Sequence, residues 1–252
     1  MALITKAKNG DFIVLPNDSL GKELIFNNDF EPHFNQVASV VVNEGDIVLD
    51  IGANLGYHTC GLSKLVGSSG RVLSFEPQKQ IYYQLCGNIF LNNLRNVEPY
   101  NVAIGDKELM VQMDSINIDS KDVNIGANKI GSGGERTLMV TLDQVLEGAG
   151  LANSLISFIK ADMQGCESLM LDGATSLLSR CRPFIFIEVE FWLNCFGTTE
   201  NDLKLKLMKM GYILLQINTK YPVDHIAVPA EKESIISQIN KKLQYTTTIH
   251  RT

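Results

Sequence analysis

The sequence predicts one α/β domain with a Rossmann-like sheet, seven-stranded and mostly parallel. Three observations predict it. From residue 46 onward, short apolar β-branched runs alternate with helical stretches, the order that buries a parallel sheet between two helix layers. A glycine-rich turn, Gly52-Ala53-Asn54-Leu55-Gly56, joins the first run to a helix. Acids (Asp50, Glu76, Asp162, Glu188) stand at the ends of four runs, on the side where open α/β sheets bind ligands.

The elements follow in order. Phe12–Leu15 reads as a short strand stopped by Pro16, and Glu31–Val42 as a helix ending at the turn Asn43-Glu44-Gly45-Asp46. Residues 1–45 are thus an α/β extension on a domain spanning 46–252. Ile47–Ile51 is the first buried strand and Tyr57–Val66 its helix, stopped by Gly67-Ser68-Ser69-Gly70. Val72–Glu76 is the second strand, and Pro77 opens a helix to about Leu94. Val97–Ile104 is the third. An insertion at about 107–141 interrupts the alternation. It contains Leu109–Met113, a Gly/Asn/Ser-rich stretch Asn124–Gly134, and Thr137–Val140, and reads as a hairpin with a mobile lid beside an acceptor pocket. Thr141-x-x-Gln144 fits a capping box. Leu155–Ala161, a helix over Cys166–Ser179, Phe184–Val189, a helix capped by Thr199, Tyr212–Ile217, His225–Val228 and a last helix over Glu233–Lys242 complete the domain.

Composition narrows the function classes. The chain has 252 residues, long enough for one well-buried core and short for two. Its formal net charge of −6 gives no attraction to phosphate backbones, so no nucleic-acid partner is expected. Cys60, Cys86, Cys166, Cys181 and Cys195 are odd in number and lack C-x-x-C spacing, which argues against disulfides and structural zinc. Reduced thiols, a polar N-terminus and no apolar run near the roughly 20 residues of a membrane span point to the cytoplasm.

The chemistry concentrates at three places. At the first, a G-x-x-x-G turn follows the strand-end Asp50. Dinucleotide sites use G-x-G-x-x-G with phosphate on the helix N-terminus. A carboxylate here would repel a pyrophosphate and suits a cationic amino group, as in the methionine part of S-adenosylmethionine. At the second, Glu76 closes the next strand before Pro77, where an acid can accept from both ribose hydroxyls. At the third, strand alternation puts Lys160 and Asp162 on one face, and Glu188 and Glu190 on one face of the next strand. Asp162 is the candidate proton acceptor, with Lys160 and Glu188 setting its charge and geometry; Asp162 also has an alternative role holding the cofactor's amino group. His58 reads as packing or support. No metal is called for.

These residues together resemble the FkbM-type methyltransferases, of the class I S-adenosylmethionine-dependent fold. The likeness is carried by V-L-D-I-G-A-N-L-G-Y-H-T (Val48–Thr59), F-E-P (Phe75–Pro77), A-I-G-D (Ala103–Asp106), T-L-D-Q-V-L (Thr141–Leu146) and I-K-A-D-M-Q-G-C-E (Ile159–Glu167). It implies a seventh strand running antiparallel and O-methylation of a sugar, glycolipid or natural-product hydroxyl. It implies that Asp50, Gly52, Ala53, Asn54 and Gly56 hold the methionine part. Glu76 and Pro77 would then hold the ribose, and Val102 and Ala103 border the adenine. Gln164 departs from the family's glutamate, so no base role is assigned there. A nicotinamide or nucleotide-sugar oxidoreductase is the rival enzyme reading, disfavoured by the glycine spacing. A non-catalytic cofactor-binding domain is the other, with Gln164 its best support.

Overall fold

The computed structural model describes residues 1–251. The chain opens with an antiparallel hairpin of β1 (Leu3–Ala7) and β2 (Gly10–Val14), then α1 (Ser19–Asn27) and α2 (Pro32–Val41). The alternation runs β3 (Ile47–Ile51), α3 (Tyr57–Val66), β4 (Arg71–Phe75), α4 (Lys79–Leu91) and β5 (Val97–Tyr100). A two-residue β6 (Ala103–Ile104) leads into the insertion, where β7 (Leu109–Asp114) and β8 (Gly133–Val140) flank a 3-10 turn at Ile125–Ala127. Then come α5 (Leu142–Gly148), β9 (Ile156–Ala161), α6 (Glu167–Asp172), α7 (Thr175–Cys181) and β10 (Phe184–Glu188). A 3-10 segment (Phe191–Phe196) precedes α8 (Glu200–Lys209), β11 (Tyr212–Ile217) and β12 (Asp224–Pro229). Another (Ala230–Ile235) precedes α9 (Ile236–Lys242) and β13 (Thr247–His250).

The main sheet has the order β13-β11-β12-β10-β9-β3-β4-β5. Strands β5, β4, β3, β9 and β10 are mutually parallel. The seventh strand, β12, is antiparallel to both neighbours, as the family resemblance implies. An eighth strand, β13, extends the sheet beyond the seven expected. Its run Thr246-Thr247-Thr248-Ile249-His250 is rich in β-branched residues and pairs Ile249 with Leu215, so the stretch after the last expected helix is an edge strand.

Strand alternation splits the core into two layers. Leu49, Ile51, Leu73, Phe75, Ile159, Ile185 and Ile187 pack on one face with α5, α6, α7 and α8. Val48, Val72, Phe158 and Phe186 pack on the other with α2, α3 and α9. A third cluster joins Phe12, Val14, Leu20 and Leu24 to Leu55 and Tyr57 beside the glycine turn. Fully buried Asn88 ties this cluster together: its Oδ1 accepts from the Ile13 N–H at 2.6 Å and its Nδ2 donates to Leu55 O at 2.8 Å. The N-terminal segment therefore braces the site.

Two expected elements are divided and a third starts late, each for a visible reason. The run Val97–Ile104 leaves the main sheet after Tyr100. The Asn101 amide donates to Glu76 O and Pro77 O at 2.9 and 3.1 Å, and the chain turns into a three-stranded sheet, β6-β8-β7. The helix over Cys166–Ser179 breaks at Gly173, whose missing side chain lets Gly105 O approach to 1.9 Å from where a Cβ would be. The helix after Pro77 starts at Lys79, because Gln78 keeps an extended backbone (φ −76°, ψ 115°) and stands as its N-cap, its N–H held by Glu76 Oε1 at 2.9 Å. The last helix begins as a 3-10 segment. Strand β1 and helix α1 had no expected counterpart.

Candidate active site

A cavity of about 630 Å³ opens at the carboxyl ends of β3, β4, β9 and β10. One end is apolar, lined by Ile51, Phe75, Pro77, Val102, Ala103 and Met113. The other holds Glu31, His58, Lys160, Asp162, Glu188 and Glu190. The stretch Asn124–Ile130 of the insertion lines the cavity as well, together with Ser19, Leu20 and Phe30 from the N-terminal segment.

The glycine turn is shaped by its own backbone. Gly52 has φ +74°, and a Cβ there would lie 1.8 Å from Asp162 O, so only glycine lets the two strand ends meet. Gly56 has φ +93° and caps α3. The Gly52 and Ala53 N–H groups both donate to Phe75 O, locking the turn onto β4. Gly52 and Ala53 line the cavity; Asp50 and Gly56 sit behind its wall. This is a difference from the direct contact expected for Asp50 and Gly56. Asp50 and Lys160 are register neighbours, so their side chains leave the sheet on the same face. There Asp50 Oδ2 accepts from Thr59 Oγ1 at 2.6 Å, and its other oxygen lies 3.7 Å from Lys160 Nζ.

Glu76 is the carboxylate beside the apolar lining residues Phe75 and Pro77. It is buried yet lines the cavity. Oε2 accepts from the Asn54 N–H and Oε1 from the Gln78 N–H, both at 2.9 Å. Burial pushes its pKa up to about 7, against the pull of those two donors. Each oxygen keeps a lone pair for a further donor. Gln78 and Asn128, a pair the sequence reading missed, join the wall to the insertion through a 2.8 Å bond from Asn128 Nδ2 to Gln78 Oε1.

At the polar end, Lys160 Nζ donates to Gly52 O at 3.1 Å and lies 3.5 Å from Asp162 Oδ2. Burial alone would lower the ammonium's pKa, but Asp162, Asp50, Glu31 and Glu188 outweigh it and hold the group above the usual lysine range. Asp162 responds in kind: burial opposes its charge, and Lys160 with the Gln164 amide pulls its pKa below the ordinary value. Glu188 goes the other way. Burial and the facing charges of Asp162, Glu190 and Asp224 push it well up. Glu190 rises to about 7, first from burial and then from Asp162. Two neighbouring carboxyls are therefore pushed in opposite directions, a division that marks acid–base sites.

Two histidine–acid pairs flank this group. His58 Nε2 lies 2.9 Å from Glu31 Oε2, and His33 Nε2 lies 2.8 Å from Asp224 Oδ2. Their partners are 27 and 191 positions apart, so nothing local in the sequence marks them. Across the mouth, Lys129 Nζ stands 4.5 Å from the Trp192 ring centroid and 2.8 Å from Asp114. Among the described residues, no group of three His, Cys, Asp or Glu is arranged to hold a metal. No helix among them is long and apolar enough to cross a membrane.

The methyltransferase FkbM domain matches residues 50–214, most of the chain. The chain belongs to the FkbM methyltransferase family. Its sheet resembles that of the FkbM methyltransferase from Methylobacillus flagellatus KT, with TM-score 0.51 and 17% identity, over 83% of this chain and 53% of that one. A SAM-dependent methyltransferase from Aquifex aeolicus aligns at TM-score 0.46 and 17% identity, over 84% and 92% of the chains. A curated relative is the tRNA(Phe) (4-demethylwyosine(37)-C(7)) aminocarboxypropyltransferase of Methanocaldococcus jannaschii, 36% identical over 76 residues, 30% of each chain. The chain thus spans about half of the first structure and under a third of the curated relative.

S-adenosylmethionine is the cofactor that goes with this family. The residues present fit it. The apolar end accommodates a base, the Glu76 carboxylate has free acceptor capacity beside it, and the side-chain-free Gly52 borders the acidic end.

Proposed function

We propose that this chain transfers a methyl group from S-adenosylmethionine to a hydroxyl of a small-molecule or glycan acceptor. The observation that carries the reading is Glu76, a buried carboxylate fixed by two backbone N–H groups at the edge of the cavity. When bound, the cofactor supplies an electrophilic sulfonium methyl, so the protein's work is to position and deprotonate the acceptor. Glu76 accepts from the ribose hydroxyls. Pro77, Val102 and Ala103 border the base. Ala53 and Asn54, with Gly52, shape the turn around the amino-acid part, and Asp50 acts from behind by holding Lys160 and Thr59. Asp162 takes the proton of the acceptor hydroxyl while that oxygen gains the methyl. Lys160 favours the ionised form of Asp162, while burial and the neighbouring acids favour the protonated form of Glu188.

The acid-rich mouth and the net charge of −6 favour acceptors other than nucleic acid. Calorimetry decides between cofactors: S-adenosylmethionine and S-adenosylhomocysteine bind, NAD does not. Release of S-adenosylhomocysteine with hydroxyl-bearing acceptors is the catalytic test. NAD binding without S-adenosylmethionine binding would overturn the proposal.

A further inference from the structure

We infer that Gln164 is a positioning residue: its side-chain amide bridges Asp162 and Glu188 and makes the two carboxyls act as one acid–base pair. Nε2 donates to Asp162 Oδ1 at 2.9 Å and to Glu188 Oε2 at 3.0 Å, so both amide hydrogens are spent on the two acids. The catalytic meaning of this bridge rests on the methyl-transfer reading above; the bridge itself does not.

The backbone is bent to make it. Gln164 has φ +53°, a left-handed conformation uncommon for glutamine, and Gly165 follows with φ +108°. Such strain persists only where the surroundings impose it. Here they do. Buried Glu167 accepts from the Met163 and Gly165 N–H groups at 2.8 and 3.4 Å, closing the turn. A Cβ on Gly165 would come within 2.5 Å of Trp192 O, so the turn is pressed against the segment after β10. The turn carries the amide from the end of β9 to the end of β10.

An amide suits this position because the pair is surrounded by charge from every side. Lys160 on β9 and Asp50 on β3 lie below, and Glu31 with His58 stands on the N-terminal side. Glu190 follows β10, and Asp224 with His33 stands on β12 and α2. Among the described residues, Lys160 is the one cation in salt-bridge range of Asp162, and it makes no hydrogen bond to Glu188. Gln164 supplies positive hydrogen-bond ends to both acids without adding charge. A glutamate there would put a third titrating carboxyl between them in place of the donating amide. Two consequences follow. Asp162 stays the lower-titrating member of the pair, and Glu188 the higher.

The test is a carbon-13 NMR titration of the Asp162 and Glu188 carboxyls in the full chain, with Gln164→Gly, Gln164→Asn and Gln164→Glu. Glycine tolerates the left-handed backbone, so Gln164→Gly deletes the amide and relieves strain. Its Asp162 midpoint rises by about one pH unit or more, since a charge-assisted donor is lost. Gln164→Asn, with a shorter amide, recovers part of that change. Gln164→Glu adds a third carboxyl titrating above the usual range and also raises Asp162. Unchanged Asp162 and Glu188 midpoints in both Gln164→Gly and Gln164→Glu would overturn the inference. S-adenosylhomocysteine affinity, measured in parallel, separates the two proposals. A wild-type chain that fails to bind it refutes the methyltransferase reading and leaves the titration result to decide the bridge.

Discussion

Glu76→Gln tests the nucleoside end through its pH dependence. In the free protein Glu76 has a pKa of about 7, raised from 4.5 chiefly by burial. In the proposed function, the ionised carboxylate is the form that accepts two ribose hydroxyls alongside its two backbone donors. Below pH 7 the competent fraction of the protein falls, so S-adenosylhomocysteine affinity drops by about tenfold for each further pH unit. Above pH 7 affinity is flat. Glutamine removes the titration and, with it, the charge on the acceptor. Losing a charge-assisted bond of about 1.5–3 kcal/mol weakens binding roughly 10- to 100-fold at pH 8.

The fold survives this change because two effects oppose each other. Keeping Glu76 ionised above pH 7 costs the folded state about 3 kcal/mol, and that cost disappears in the glutamine variant. In exchange, the Asn54 or Gln78 N–H faces an amide NH₂ and loses its acceptor, a penalty of about 1–3 kcal/mol. Whole-protein stability curves do not isolate Glu76, since burial also raises Glu167 and Glu190 to about 7. The diagnostic assay is calorimetric affinity for S-adenosylhomocysteine from pH 6 to 8.5, wild type against Glu76→Gln. A wild-type affinity independent of pH, or a variant that matches it at pH 8, would refute the reasoning.

Four further outcomes are expected. Asp162→Asn lowers turnover by about 10²-fold or more while cofactor affinity changes much less; a large affinity loss with normal saturated turnover would instead make Asp162 a cofactor ligand. Gly52→Val abolishes S-adenosylmethionine binding, because its Cβ falls 1.8 Å from Asp162 O; a folded variant that binds normally contradicts this. Buried His225 has a pKa of about 4, lowered from 6.5 by burial, so its contribution is complete above pH 6.5 and lost as pH falls through 4. His225→Leu should therefore flatten the acid limb of the thermal-stability curve, and an acid limb identical to wild type would count against it. Asp18→Ala removes the acceptor of the Ile125 N–H at 3.0 Å and the cap of α1. Hydrogen exchange around Ile125–Asn128 should accelerate, at a stability cost of about 1 kcal/mol; unaltered exchange would show that the insertion is held by other contacts.

The sequence by itself determined the elements whose signals are local. The boundaries Ile47–Ile51, Tyr57–Val66 and Tyr212–Ile217 follow from apolar runs bounded by glycines or turn residues, and Thr141 forms its capping box with Gln144 as the spacing requires. The strand-end acids were legible for the same reason, since a strand's end and its face are fixed by a period of two. The tertiary structure decided everything that depends on partners far along the chain. It put Asp50 behind the wall with Lys160 and brought Glu31 to His58 and His33 to Asp224. Asn101 drew the third strand out of the sheet, and the N-terminal segment became part of the cavity. Protonation was decided there too. Glu188 and Asp162 are both strand-end acids in sequence, and only burial and the charges around them push one pKa up and the other down. A carboxyl's charge depends on solvent exclusion and on neighbours within a few ångströms, and folding sets both.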